Sequence, residues 1–177
     1  MHVNAKKIAF LGLSMALAVV LVILSGIIET NTLFLLAVAS FFTGIALGEF
    51  GLGAGAGYMI GSVILCFLLA PNKLYVLTYT GICFYLVAAE FVWKVILKST
   101  YSKKNQVVMT IFKVSIFNVM YIPLLIFAPK LVIAREMGTV LFVILLVAGQ
   151  AVLFIYDYAY HYFMNRYWLK FRRLINN

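Results

Sequence analysis

The chain has 177 residues, 66% of them hydrophobic and 11% charged, with a formal net charge of +9. Soluble domains carry roughly a quarter charged residues, so this balance excludes a water-soluble globule and leaves one integral membrane domain spanning residues 1–177. In a soluble chain such an excess of lysine and arginine would point to nucleic acid; here it follows the positive-inside rule, and no nucleic-acid partner is expected.

Apolar runs of about 20 residues suffice for a hydrocarbon core of about 30 Å, and they predict an all-α membrane protein, a compact bundle of six transmembrane helices. The first span, 8–28, follows Lys6 and Lys7 and is too long for the apolar core of a cleaved signal, about 7–15 residues. Spans 33–48 and 52–70 form a helical hairpin that turns at Glu49-Phe50-Gly51. Pro71 then stops the helix, since proline lacks the N–H needed to continue it. Span 74–97 leads into a polar loop at 98–106, span 107–128 ends at Pro129, and span 138–164 runs into a basic cytoplasmic tail, 165–177. That tail reads either as a positive-inside anchor or as a helix lying among anionic headgroups.

Gly53, Gly57 and Gly61 fall four apart and share one helix face. Each would weaken a helix in water by about 1 kcal/mol relative to alanine. In lipid, small residues at this spacing let two backbones approach and pack by dispersion, so these three are predicted as a helix-packing face. With six spans, Lys6, Lys7, Lys94, Lys98, Lys103, Lys104, Arg166, Lys170, Arg172 and Arg173 collect on one side. Only Lys73, Lys130 and Arg135 fall on the other. Both termini are therefore predicted cytoplasmic, in a multi-pass protein of the plasma membrane. Cys66 and Cys83 lie at different depths in apolar helices, which disfavours a disulfide.

Ionisable residues inside a membrane are expensive and mark candidate sites. Here they are Glu90, Lys94, Lys113 and Asp157, all toward the inner ends of their spans. Glu90 and Lys94 have i,i+4 spacing, which suits an ion pair, and Lys113 and Asp157 share a depth on the fifth and sixth spans. Two readings stand: pairs that staple the last three helices, or a proton or ion relay or partner contact. Nearer mid-depth are Tyr85, Asn118 and Gln150, with Tyr75, Tyr79 and Tyr121 further out and Glu29 and Asn31 in the first outer loop. Together they are predicted to line an outward cavity with aromatic walls and a few polar anchors. The alternative is an interfacial tyrosine belt with amide bonds between helices. Lys73, Lys130 and Arg135 on the rim favour an anionic ligand, the alternative being lipid contacts. GLGAGAG follows a membrane turn rather than a strand, which removes the dinucleotide reading. No zinc-ligand spacing and no hydrolytic triad is present, so no metal, cofactor or enzymatic activity is expected.

The first helix, AKKIAFLGLSMALAVV, and the passage GIALGEFGLGAGAGYMIGSVILCFLLAP resemble the S-components, the substrate-binding subunits of energy-coupling factor (ECF) transporters for vitamins and similar micronutrients. The resemblance covers residues 6–75 and rests on small-residue patterns. It implies that Ala5 and Ala9, continuing through Gly12 and Ala16, dock on the coupling helices of a transmembrane partner. It also implies a small-molecule substrate held in the outer cavity, and transport driven by that coupling subunit with two cytoplasmic ATPases. The chain itself would do no chemistry. Two alternatives belong to other classes: a non-enzymatic scaffold similar to the rod-shape proteins of cell-wall synthesis, and a small proton-coupled carrier using Glu90, Lys113 and Asp157.

Overall fold

A computed structural model describes residues 5–96, 103–127, 138–168 and 170. Among these residues the protein is all-α, with five helices: α1 (Ala5–Ile27), α2 (Thr32–Leu69), α3 (Lys73–Phe91), α4 (Lys103–Phe127) and α5 (Thr139–Tyr162). A short 3-10 turn, Glu29–Asn31, joins α1 to α2, and π-helical turns Val92–Ile96 and Phe163–Trp168 extend α3 and α5. All five helices are long and apolar enough to cross a membrane. The final helix runs on to Trp168, so the first residues expected in the basic tail are helical. Lys98, Lys130, Arg135, Arg172 and Arg173 lie outside the described residues.

The 38 residues of α2 do not form one rod. Gly51 adopts φ 85° and ψ 177°, outside the helical region, in backbone space open essentially to glycine alone. Residues eight apart in an unbroken helix are separated by about 12 Å along the axis. Yet a Cβ placed on Gly55 would lie 2.9 Å from the Cα of Leu47 and inside its side chain. The chain therefore doubles back at Gly51, where the sequence places its turn, and only a residue without a side chain fits at 55.

The end of α2 is set by local chemistry. Ala70 is extended, Pro71 follows, and the Asn72 side chain accepts from the Leu74 N–H at 3.0 Å to begin α3. Lys73 reaches back and donates to the carbonyls of Phe67 and of Ala70, the latter at 2.9 Å. Those carbonyls lie in the last turn of α2 and at the residue that caps it, where the helix offers no further N–H groups to bond them. Lys73, expected as a free rim cation for an anionic ligand, is thus a helix cap.

The helices group into two compact units, Met1–Ser99 and Thr100–Asn177. In the first, α1, α2 and α3 close around Val22, Leu36, Cys66, Val76, Tyr79 and Cys83, and both cysteines are free and buried. Phe10 meets Phe50 at 6.0 Å between ring centroids, bringing the start of α1 to the turn of α2. Outward-facing Ile8, Leu13, Ile60 and Leu68 are exposed, as lipid-facing side chains must be. In the second unit α4 packs on α5, where Gly149 leaves the space that the Tyr121 ring fills.

The predicted glycine face needs correction. Nothing lies within 4 Å of a Cβ on Gly53 or Gly57, and Gly61 meets only the Met15 side chain, at 3.1 Å. The inward face of residues 52–69 is instead Gly55, Tyr58, Ser62 and Cys66, all buried. Gly53 and Gly57 lie on the opposite side, exposed, with no neighbour among the described residues.

Candidate functional site

Buried hydroxyls gather in the centre of the first unit. Thr43 Oγ1 lies 3.3 Å from Cys83 Sγ, joining α2 to α3. The Tyr79 hydroxyl donates to Ser62 Oγ at 3.0 Å, while Ser62 donates to the Met59 carbonyl at 3.0 Å. Tyr58 is 3% exposed, and among the described residues its hydroxyl makes no hydrogen bond. Ser14 lies beside it and gives its own proton to the Leu11 carbonyl at 3.0 Å. The sequence does not single out Tyr58, which shares one buried helix face with Gly55, Ser62 and Cys66.

This packing revises the predicted cavity walls. Tyr79 is fully buried, so it is a core residue whose polar atom is already bonded. Tyr85 is buried as well. Tyr75 is half-buried with its ring against Gly26 of α1. Asn31 is exposed at the start of α2 and makes no side-chain cap, and Glu29 opens the 3-10 turn before it.

At the other end of α3, Lys94 Nζ lies 2.7 Å from Glu90 Oε1. The pair forms at the expected i,i+4 spacing, but on one helix, so it staples no helices together. The crossing pair is in the second unit. Lys113 Nζ on α4 donates to both carboxylate oxygens of Asp157 on α5, at 2.7 and 2.8 Å. It also lies 3.1 Å from His161 Nε2. An ammonium only donates, so in this arrangement His161 accepts through Nε2. His161 belongs to this cluster as well, and its i,i+4 spacing from Asp157 is the signal in the sequence.

One to two turns along α4, Gln150 Nε2 donates to Asn118 Oδ1 at 2.7 Å, and Asn118 Nδ2 donates to the Val114 carbonyl at 2.8 Å. Tyr121 stacks on Phe117 with centroids 5.0 Å apart, and its hydroxyl donates to the Leu145 carbonyl at 3.0 Å. Asn118, Tyr121 and Gln150, expected as cavity anchors, thus hold α4 to α5, as the alternative of amide bonds between helices requires.

The docking stripe stands differently. Ala5, Ala9, Gly12 and Ala16 are all exposed, and nothing lies within 4 Å of a Cβ on Gly12. Among the described residues none covers these four small side chains. Among the described residues, no group of three or more His, Cys, Asp or Glu side chains is placed to hold a metal ion. Comparison with family models, with curated proteins and with solved structures finds no match to this chain.

Proposed function

We propose that the protein is a membrane subunit of the ECF type that crosses the bilayer six times, captures a vitamin-like micronutrient from outside and passes it to a coupling subunit driven by two ATPases. The reversal at Gly51 divides α2 into residues 32–50 and 52–69. Each arm rises about 27 Å, close to the thickness of the hydrocarbon core. Counting the arms separately turns five helices into six crossings with both termini on one side. Lys7, Lys94 and Lys170 then share the cytoplasmic face, in keeping with the positive-inside rule.

The uncovered stripe Ala5-Ala9-Gly12-Ala16 is the observation on which this reading rests. Helix association in lipid depends on close backbone approach at small residues. Within the first unit that approach occurs at Gly55, against the Leu47 backbone, while among the described residues the stripe on α1 is exposed. Such a face suits a helix of another subunit. Glu29, Asn31 and Tyr75 remain the candidates for contact with the solute, since the hydroxyls of Tyr79 and Tyr121 already have partners.

Co-expression with an ECF coupling module tests the reading. Ala9→Leu with Gly12→Leu should abolish co-purification of the module while leaving thermal stability unchanged, and native mass spectrometry of the wild type should find a retained small molecule. A wild-type chain that neither binds the module nor retains a solute overturns it. The Lys113–Asp157–His161 cluster favours a second reading, a proton-coupled carrier acting alone. Solute uptake in a host without coupling subunits would decide for that.

A further inference from the structure

The last helix is longer than the membrane needs. With its π turn it runs Val140–Trp168, 29 residues, or about 44 Å at the α-helical rise, against about 30 Å of hydrocarbon. Its polar and aromatic residues gather from Tyr156 onward, so the excess length emerges at that end, at the level of the headgroups.

There the side chains form a ladder. Tyr158 stacks on Tyr162 with centroids 6.3 Å apart, and Tyr162 meets Tyr167 edge-on at 5.9 Å. Tyr162 and Tyr167 are five residues apart, a spacing that an α-helix turns to different sides and the wider π turn brings together. The Arg166 guanidinium lies 5.8 Å from the Tyr162 ring centroid. All four side chains are exposed, as is Lys170. Asp157 is bound to Lys113, and among the described residues no carboxylate pairs with Arg166 or Lys170.

We propose that this strip binds the phosphate of an anionic phospholipid. Tyrosine rings settle at the boundary between headgroups and acyl chains, where Tyr158 and Tyr162 would flank the lipid. Arg166, steadied over a ring by cation–π attraction, presents its planar fork to the phosphate oxygens. Lys170 adds a second charge one turn on. Nucleic acid or an acidic peptide would approach from water and leave the deeper rungs of the ladder unused.

The full chain in nanodiscs of mixed phosphatidylcholine and phosphatidylglycerol, with retained lipids counted by native mass spectrometry, tests the site. Phosphatidylglycerol should be retained preferentially. Arg166→Gln and Lys170→Gln should each lower that preference about fivefold, and both together about thirtyfold, as expected for two independent charges at an anionic surface. Tyr162→Leu, which keeps both charges, should lower it too. Lys7→Gln, which removes a charge from α1, should not. Equal retention of the two lipids by the wild type overturns the proposal without any variant, and so does an equal loss in K7Q and R166Q, which would show diffuse charge rather than a site.

Discussion

Ser62 and Tyr79 sit fully buried at the middle of the first unit, bonded to each other inside a packed core, whereas the Lys113–Asp157 pair of the second is 14% and 25% exposed and bridges two helices with little apolar core around it. In the first unit most buried hydroxyls are satisfied locally: Ser14, Ser25, Ser40 and Ser62 each donate to a carbonyl three residues back. Shape holds those helices together, and the loss of one polar atom is shared by many contacts. In the second unit directional links tie α4 to α5, among the described residues Lys113 with Asp157 and His161, Asn118 with Gln150, and Tyr121 with the Leu145 carbonyl. A helix pair built that way concentrates its stability in a few bonds.

The most damaging single changes should therefore fall in the second unit. Asp157→Asn or Lys113→Met leaves one charge without its partner and should cost about 3 kcal/mol, read as a fall in melting temperature in detergent. Exchanging the two residues should recover most of that loss. His161→Ala should cost much less, because Lys113 keeps both carboxylate oxygens. If the exchange recovers nothing, directional pairing does not hold α4 to α5 and the contrast between the units fails.

Next come the glycines that let the chain fold back. Gly51→Ala forces a side chain into a positive-φ conformation, and Gly55→Ala drives a Cβ against the Leu47 backbone. Each should cost about 2 kcal/mol. Gly149→Ala meets a movable ring rather than backbone, so it should cost about 1 kcal/mol, chiefly through loss of the Tyr121 bond to Leu145.

These glycines show where sequence reading reaches and where it stops. The break at Gly51 was legible, because apolar runs on either side of Glu49-Phe50-Gly51 are each one membrane thickness long. The Lys113–Asp157 pair was legible too, since two opposite charges at one depth in lipid need each other. Gly55 was not. Spacing says which residues share a helix face, but not which face meets a neighbour, and Gly53-57-61 was as regular as Gly55-Tyr58-Ser62-Cys66. Lys73 falls between these cases. Proline and asparagine before it marked a helix end, and a lysine there can reach the last carbonyls, yet the same residue read equally well as a rim cation. The cavity residues were lost to register: that Tyr79 faces Ser62 depends on how α3 slides along α2, which no local pattern encodes.

A pair of tyrosines sharpens the description of the first unit. Tyr79→Phe removes a buried bond to Ser62 and should cost about 1 kcal/mol. Tyr58→Phe removes a hydroxyl that has no partner among the described residues, and should leave stability unchanged or slightly raised. Thermal melts of both variants in one detergent make the comparison, and a large loss in Y58F would mean that its hydroxyl is satisfied after all.

The smallest effect on stability should come from the residues the sequence made most conspicuous. Gly53→Ala and Gly57→Ala put a methyl group into open space, and alanine favours a helix over glycine by up to about 1 kcal/mol. Both variants should therefore melt at or slightly above the wild-type temperature, the opposite of Gly55→Ala two residues away on the other face. Should Gly57→Ala melt as low as Gly55→Ala, the inward face is wrongly assigned. If instead Gly53→Ala and Gly57→Ala are harmless alone but weaken co-purification with a coupling module, the bare side of residues 52–69 works alongside the stripe on α1, and small residues in this chain serve two ends: inside the unit they close a hairpin, and outside they leave room for another subunit's helix.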